Sequence, residues 1–230
     1  MKSLLLTALF LFASTSWAGP MEDAAAAYAR GDYATALTIV RPLADKGETR
    51  AQVNLGSMYA DGKGVVQDYA EALKWYRLAA EQGHAEAQFN LGLAYAKGLG
   101  VGQDDAETVK WYSLAAAQGL AEGQFGLGAR YANGQGVAQD YAEAVKWYRL
   151  AAAQGLAEGQ FGLGVRYANG QGVPIDEVRA YMWFNLAASK GDAVAAKNRD
   201  MIAKDLTPQQ MADALIMSVR CVAQGFKNCD

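Results

Sequence analysis

"KWYRLAAEQG" occupies Lys74–Gly83, "KWYSLAAAQG" Lys110–Gly119 and "KWYRLAAAQG" Lys146–Gly155. Their tryptophans, together with Trp183, stand 36 residues apart. Other letters keep the same step: Leu55-Gly56, Leu91-Gly92, Leu127-Gly128 and Leu163-Gly164; Tyr59, Tyr95, Tyr131 and Tyr167; Asp68, Asp104, Asp140 and Asp176. A fixed period of this length is the mark of stacked structural repeats.

Each copy reads as two helices. In "QDYAEALKWYRLAAEQG", Asp68 and Glu71 have the N-cap and N3 spacing of a capping box, repeated at Asp104/Glu107 and Asp140/Glu143. Gly83, Gly119, Gly155 and Gly191 stand where a left-handed residue would stop the helix. Between these signals Ala72, Trp75 and Ala79 make one apolar stripe, and Tyr69, Leu73, Tyr76 and Ala80 a second. Two stripes require packing on two neighbours. Glu71, Lys74, Arg77 and Glu81 face water, with Leu78 an apolar intruder among them. The other helix is "AEAQFNLGLAYAKG", with Ala87, Leu91 and Tyr95 as its core stripe and Gly98 at its end. One such pair cannot bury its own aromatics. Stacking buries them, at about 1.5–3 kcal/mol for each one fully removed from water.

The ends read differently. Residues 1–18 have a basic start at Lys2, an apolar run from Leu4 to Phe12, and small Ser16 and Ala18 before a cut, the pattern of a secretory signal peptide. A retained membrane anchor is the alternative, but the run is shorter than the roughly 20 residues a span needs. No Cys follows the cut to carry a lipid. Residues 19–49 form an N-terminal capping pair turning at Gly31-Asp32, with Pro42 expected to kink or end its second helix. Residues 50–193 hold the four repeats, and 194–230 the C-terminal capping helices. There Thr207, Pro208 and Gln210 have N-cap, N1 and N3 spacing.

The chain carries a net charge of −3; without residues 1–18, which hold one Lys and no acid, 20 basic against 24 acidic residues give −4. This is no nucleic-acid footprint. No second long apolar run suggests an integral membrane span. The expected address is export, to the periplasm, with the medium as the alternative. Cys221 and Cys229 are the only two cysteines. In an exported chain such a pair points to a disulfide. Helical spacing would hold them about 12 Å apart, and a bridge needs about 7 Å or less. The chain must therefore fold back, with Gly225 the place. Metal or redox duty is the alternative, without a neighbouring His to support it.

In the second copy the letters Ala87, Leu91-Gly92, Tyr95, Gly98, Gly100-Val101, Asp104, Trp111-Tyr112, Ala115-Ala116 and Gly119 resemble the Sel-1-like repeat family, a relative of the tetratricopeptide repeats. Departures are few: Thr108 for Ala, Gly123 and Gly159 for Ala, Phe184 for Tyr, and Arg179 at a capping-box position. The resemblance implies an all-α fold, a right-handed superhelical solenoid of stacked antiparallel helix pairs with a concave face. It also implies scaffold and adaptor roles and no single activity. Some cysteine-rich bacterial relatives are named as penicillin-binding or β-lactamase-like. They carry a Cys pair in each repeat, and no repeat here has one.

Catalytic spacing is absent. The single His, His84, reads as a capping or surface residue between repeats. No hydrolase, zincin or phosphate-loop motif occurs, and Asp104-Asp105 reads as capping. No His/Cys/acid cluster has metal spacing, and no cofactor is implied. The expected function is that of a non-enzymatic exported scaffold that binds a protein or peptide; the alternative is a binder or weak hydrolase of cell-wall-related small molecules. A monomer is favoured. At about 100° per residue, Phe89, Leu93 and Lys97 point away from the core stripe. So do Phe125 and Asn133, and Phe161 and Asn169, while Val53, Ser57, Ala60 and Asp61 are the first copy's equivalents. Arg130 and Arg166 flank this row, and Gly126 and Gly162 replace Asn90 beside it, as if to admit a ligand backbone. The row is either a partner-binding groove or packing between neighbouring first helices.

Overall fold

A computed structural model describes residues 19–227 and Cys229; the signal-peptide reading of residues 1–18 lies outside them. Among the described residues there are twelve helices and no strand. They are α1 (Pro20–Ala29), α2 (Tyr33–Asp45), α3 (Thr49–Asp61), α4 (Tyr69–Glu81), α5 (Ala85–Lys97), α6 (Asp105–Ala117), α7 (Ala121–Asn133), α8 (Tyr141–Ala153), α9 (Ala157–Asn169), α10 (Glu177–Ala188), α11 (Ala193–Ile202) and α12 (Pro208–Ala223). From α1 to α11 each helix packs on the next in the chain, and α12 packs back on α10. No helix of the described residues is long and apolar enough to cross a membrane.

The stops are those the glycines announce. After α4, Gly83 has φ +90°; its N–H donates to the Ala80 carbonyl and that of His84 to the Ala79 carbonyl, a Schellman stop. The corner between paired helices uses two glycines differently. Gly98 ends α5 at φ +68°. Gly100, at φ +70°, presses on the preceding repeat, and a Cβ there would fall 2.4 Å from the Tyr69 carbonyl carbon. Gly64, Gly136 and Gly172 sit likewise against Tyr33, Asp105 and Tyr141. The corner is therefore an inter-repeat contact.

The capping boxes are half formed. Asp68, Asp104, Asp140 and Asp176 accept from the first turn of their helices. Their own N–H groups are already taken, donating to the carbonyls of Tyr59, Tyr95, Tyr131 and Tyr167 across the corner. Glu71, Glu107 and Glu143 have no cap donor left to accept from, and pair with Lys74, Lys110 and Lys146. Glu107 also accepts from Trp111 Nε1 at 2.8 Å. The reciprocal box forms at Thr207/Gln210. Pro42 does not end α2, which continues to Asp45. Thr108 is fully buried, its hydroxyl donating to the Asp104 carbonyl at 2.8 Å. Cys221 and Cys229 are bonded with Cα atoms 5.0 Å apart, the chain reversing through Gly225 and Phe226, both at positive φ.

All four repeat tryptophans lie on second helices and pack inward. Trp75 meets the Met21, Val40 and Leu55 cluster; Trp111 joins Leu73, Tyr76 and Leu91; Trp147 packs on Tyr112 and Leu127; Trp183 lies with Val145 and Leu163. Each cluster spans two repeats, so the spine is continuous. Leu78, Leu114 and Leu150 are exposed on the outer face.

A glutamine ladder runs beside this spine. Gln82 donates to Gln52, Gln118 to Gln88 and Gln154 to Gln124, at 2.7, 2.7 and 2.9 Å. The acceptors are buried and donate onward to the carbonyls of Ala44, Ala80 and Ala116. The ladder breaks at its fourth rung. Gln160 is fully buried, and neither amide atom has a partner among the described residues. The donor position holds Lys190, whose ammonium turns to the Gly155 carbonyl and lies over the Phe226 ring, 4.4 Å from its centroid. Gln154 shows that one glutamine amide can serve both places, since it also donates to Gly119 O at 2.8 Å. Lys190→Gln should therefore stabilise the fold. An orphaned buried polar group costs about 1–3 kcal/mol, more than the roughly 0.5–1 kcal/mol of the lost cation–π contact. The expected reading is a higher urea midpoint; an unchanged or lower one refutes the broken-rung account.

Candidate functional site

The open face of the first helices carries the residues selected from the sequence, but it is packed differently from the sequence expectation. Phe89, Phe125 and Phe161 are half-buried. Each lies against an aromatic of its own repeat's second helix: Phe89 on Tyr112 (5.4 Å, 19°), Phe125 on Tyr148 (5.8 Å, 31°) and Phe161 on Phe184 (5.6 Å, 47°). The contact is within a repeat, not between neighbouring first helices. Leu93 is half-buried against the Tyr112 and Leu127 cluster, and Val53, first in the row, is buried. Lys97, Asn133, Asn169 and Asp61 are exposed at helix ends.

The two arginines are engaged by the preceding repeat. Arg130 pairs with Asp105 at 2.8 Å with its side chain only 14% exposed, and it also donates to Gln135 Oε1 at 3.3 Å. Arg166 has Tyr141 where Asp105 would be, and its guanidinium lies over that ring at 5.1 Å. His84 occupies the N-cap of α5, but its side chain caps nothing. It lines a shallow trough of about 670 Å³ with Gln118 and Gln154 along the turns between repeats, away from the row.

Gly126 and Gly162 admit no ligand backbone. A Cβ on Gly126 would come within 2.8 Å of the Tyr112 ring, and one on Gly162 within 3.1 Å of Tyr148. Tyr112 is hemmed in from the other side by Gly92, whose Cβ would fall 2.7 Å from it. The tyrosines fill the space the glycines leave.

Where asparagine takes the glycine's place, the face stays open. Asn54 lines a cleft of about 310 Å³ with Ala24, Tyr28, Val40, Ser57 and Met58. Asn90 lines another of about 210 Å³ with Asp61, Tyr69, Leu73, Tyr76 and Leu93. Ser57 and Tyr76 join them, the tyrosine hydroxyl donating to Ser57 Oγ at 3.1 Å. The cavities thus lie on the first two repeats and the N-terminal pair; of the row read from the sequence, Ser57, Ala60, Asp61 and Leu93 line them, and Phe89, Phe125 and Phe161 do not. The Asn-to-Gly change at one repeat position was the available signal.

Burial raises the phenols of Tyr76, Tyr112 and Tyr148 above their ordinary value. Arg130 and Arg166 oppose this at Tyr112 and Tyr148 without cancelling it.

The Sel1 repeat pattern matches four times, at residues 49–84, 85–120, 121–156 and 157–192. The chain belongs to the Sel1 repeat family. The four Sel1 repeats coincide with the pairs α3–α4, α5–α6, α7–α8 and α9–α10, leaving α1–α2 and α11–α12 outside them. Among solved structures, the chain is similar to a protective antigen of uropathogenic Escherichia coli strains displaying an SLR fold, with 40% identity and a TM-score of 0.72. That match covers 76% of this chain but only 38% of the antigen. It is also similar to a Sel1 repeat protein from Oxalobacter formigenes, with 37% identity, a TM-score of 0.69, and coverage of 76% and 72% of the two chains. A putative Sel1 repeat protein from Klebsiella pneumoniae, 20% identical at a TM-score of 0.53 over 80% of this chain and 91% of its own, shares the fold. No curated protein matched the sequence. Repeats of this family typically mediate protein interactions.

Two outcomes test the packing. Gly126→Ala should destabilise the fold by about 1–2 kcal/mol, because overpacking against a ring held on both sides outweighs the helix preference for Ala. Gly102→Ala, where a Cβ meets nothing within 4 Å, should be neutral or slightly stabilising. Urea titration that ranks them the other way refutes the wedge. The phenols predict an alkaline limit. Unfolded tyrosine ionises near 10.0 and the buried ones higher, so above that pH the unfolded state holds fewer protons and stability falls as pH rises. Tyr148→Phe, mimicking Phe184, should shallow the fall of Tm between pH 10 and 11 and leave its value near neutrality almost unchanged.

Proposed function

We propose that this Sel1 repeat protein is an exported, non-catalytic scaffold that holds a protein or peptide partner on the face of its first helices, at the two clefts beside Asn54 and Asn90. The observation that carries this reading is the contrast along one face. Apolar walls with convergent polar groups (Tyr28, Asn54, Ser57, Tyr76, Asn90) stay open on the first two repeats, while Tyr112 and Tyr148 close the equivalent places further on. Concave, mostly apolar sites with a few placed polar groups are what ligand side chains enter. Phe89, Phe125 and Phe161 support this face from below, through their stacking. Export is supported by the leader-like residues 1–18, by the disulfide, and by a 40% identical relative that is a protective antigen.

The test fills the clefts without disturbing the core. Asn54 is exposed and Asn90 half-exposed, so Asn54→Arg with Asn90→Arg should keep the thermal midpoint. That double variant should lose the partner captured from cell-envelope extract by the wild type, whereas Glu122→Arg in the trough should retain it. Undiminished capture by the asparagine pair removes the clefts from consideration. No turnover of a chromogenic β-lactam is expected from either.

A further inference from the structure

Helix α12 has two faces of unusual character. Ala214, Ser218 and Cys221 are buried on its inner side. On its outer side Leu215, Ile216, Val219 and Val222 are exposed at 43%, 55%, 71% and 52%, with Ala212 and Ala223 exposed beside them. At about 100° per residue these six positions fall within roughly 120° of arc, one continuous apolar stripe along three turns. The end of a repeat stack is where a polar outer face is needed for solubility. Here the second helices of the first three repeats show one exposed leucine each, and the terminal helix shows four large aliphatic side chains together. The described residues of the tail do not cover them. The disulfide turns it inward, so that Phe226 and Cys229 pack on the core cluster, and Phe226 reaches Lys190 and Gly155.

We infer that this stripe is a homodimer interface, in which α12 of one molecule lies antiparallel on α12 of a second copy. The charges favour that occupant. Asp213 and Arg220 lie on the same flank of the stripe, seven residues or about 10 Å apart along the axis. Asp213 accepts only from Gln209, at 2.9 Å, and Arg220 has no acidic partner among the described residues. A two-fold axis between residues 216 and 217 makes an isologous contact in which each Asp213 faces Arg220 of the other copy. The same axis interleaves the apolar layers. Leu215 and Ile216 of both molecules form the centre, and each Val219 falls between the Ala212 and Leu215 levels of the other. A single helix pair is smaller than a standard stable interface, so the dimer forms at micromolar concentrations rather than below them.

Sedimentation velocity of the purified, disulfide-intact protein over a concentration series reads this directly. The wild type should pass from monomer to dimer across the micromolar range. Val219→Glu, at the most exposed position of the stripe, should remain monomeric with an unchanged helical circular-dichroism spectrum. Asp213→Arg should weaken association about tenfold, since it sets like charges opposite each other twice. Adding Arg220→Asp should restore it, a recovery that non-specific apolar association would not give. A wild type that stays monomeric overturns the proposal, as does a dimer indifferent to Val219→Glu or one that the charge swap fails to restore. Binding of the monomer to lipid vesicles through the same stripe would assign it to another occupant and equally overturn it.

Discussion

One aromatic ring per repeat, wedged against a glycine, sets the distance between paired helices. Tyr76, Tyr112, Tyr148 and Phe184 lie so close to Gly56, Gly92, Gly128 and Gly164 that a Cβ on those glycines would fall 2.6–2.9 Å from the ring. Glycine inside a helix costs about 1 kcal/mol relative to Ala. Burying the ring returns about 1.5–3 kcal/mol, so the exchange favours the wedge. The tryptophan one residue earlier faces the neighbouring repeat instead, as Trp111 does among Leu73 and Tyr76. Adjacent letters thus divide the work. The ring closes the pair, and the indole joins pairs into a stack.

Polar groups follow the same division. A stack of hairpins buries backbone carbonyls at every inter-repeat joint, and each needs a donor. The Asp N–H to Tyr C=O bond closes the corner within a repeat. The glutamine ladder reaches the carbonyls between repeats. A corner glycine lets the backbone of one repeat touch the helix start of the one before it. Because every joint is a nearest-neighbour contact, the stability of such a stack is close to a sum over joints. A single missing rung at Gln160 is therefore a local deficit at the joint between the third and fourth repeats.

The helices, their stops and the two-stripe logic were legible in the sequence because they rest on local rules: periodicity, caps and glycines at fixed offsets. Leu91, Ala87, Trp183 and the Thr207 capping box stand where those rules put them. The capping boxes at Glu71, Glu107 and Glu143 failed because the competing carbonyl comes from Tyr59, Tyr95 and Tyr131, nine residues upstream of the cap and beyond any helical rule. Gln88 passed unremarked as a polar residue on a core face, although Gln52, Gln88, Gln124 and Gln160 keep the period as strictly as the tryptophans. The open face was the least legible part. A helical wheel says which side chains point away from one neighbour. It does not say that Tyr112 crosses from the second helix to occupy the same space. Gly126 therefore read as room, when it is the imprint of a ring.

The ends show how the same face is rewritten when the stack stops. Leu78, Leu114 and Leu150 are exposed, yet Leu186 at the equivalent place is buried, among a cluster that takes in Met217, Cys221 and Phe226. The neighbouring letter changes with it: Arg77 and Arg149 reach tyrosine hydroxyls at 2.7 and 2.9 Å, whereas Asn185 donates to Ser218 of α12 at 3.4 Å. Lys190 in place of glutamine belongs to the same substitution, since it meets Phe226 of the folded-back tail. The fourth repeat is thus written for a helix that crosses its outer face, and the disulfide holds that helix's end where these contacts require it. At the other end no such rewriting closes the first helices' face, and Asn54 and Asn90 leave it open. The asymmetry between a sealed C-terminal half and an open N-terminal half is built from substitutions at a handful of repeat positions, with the repeat geometry itself unchanged.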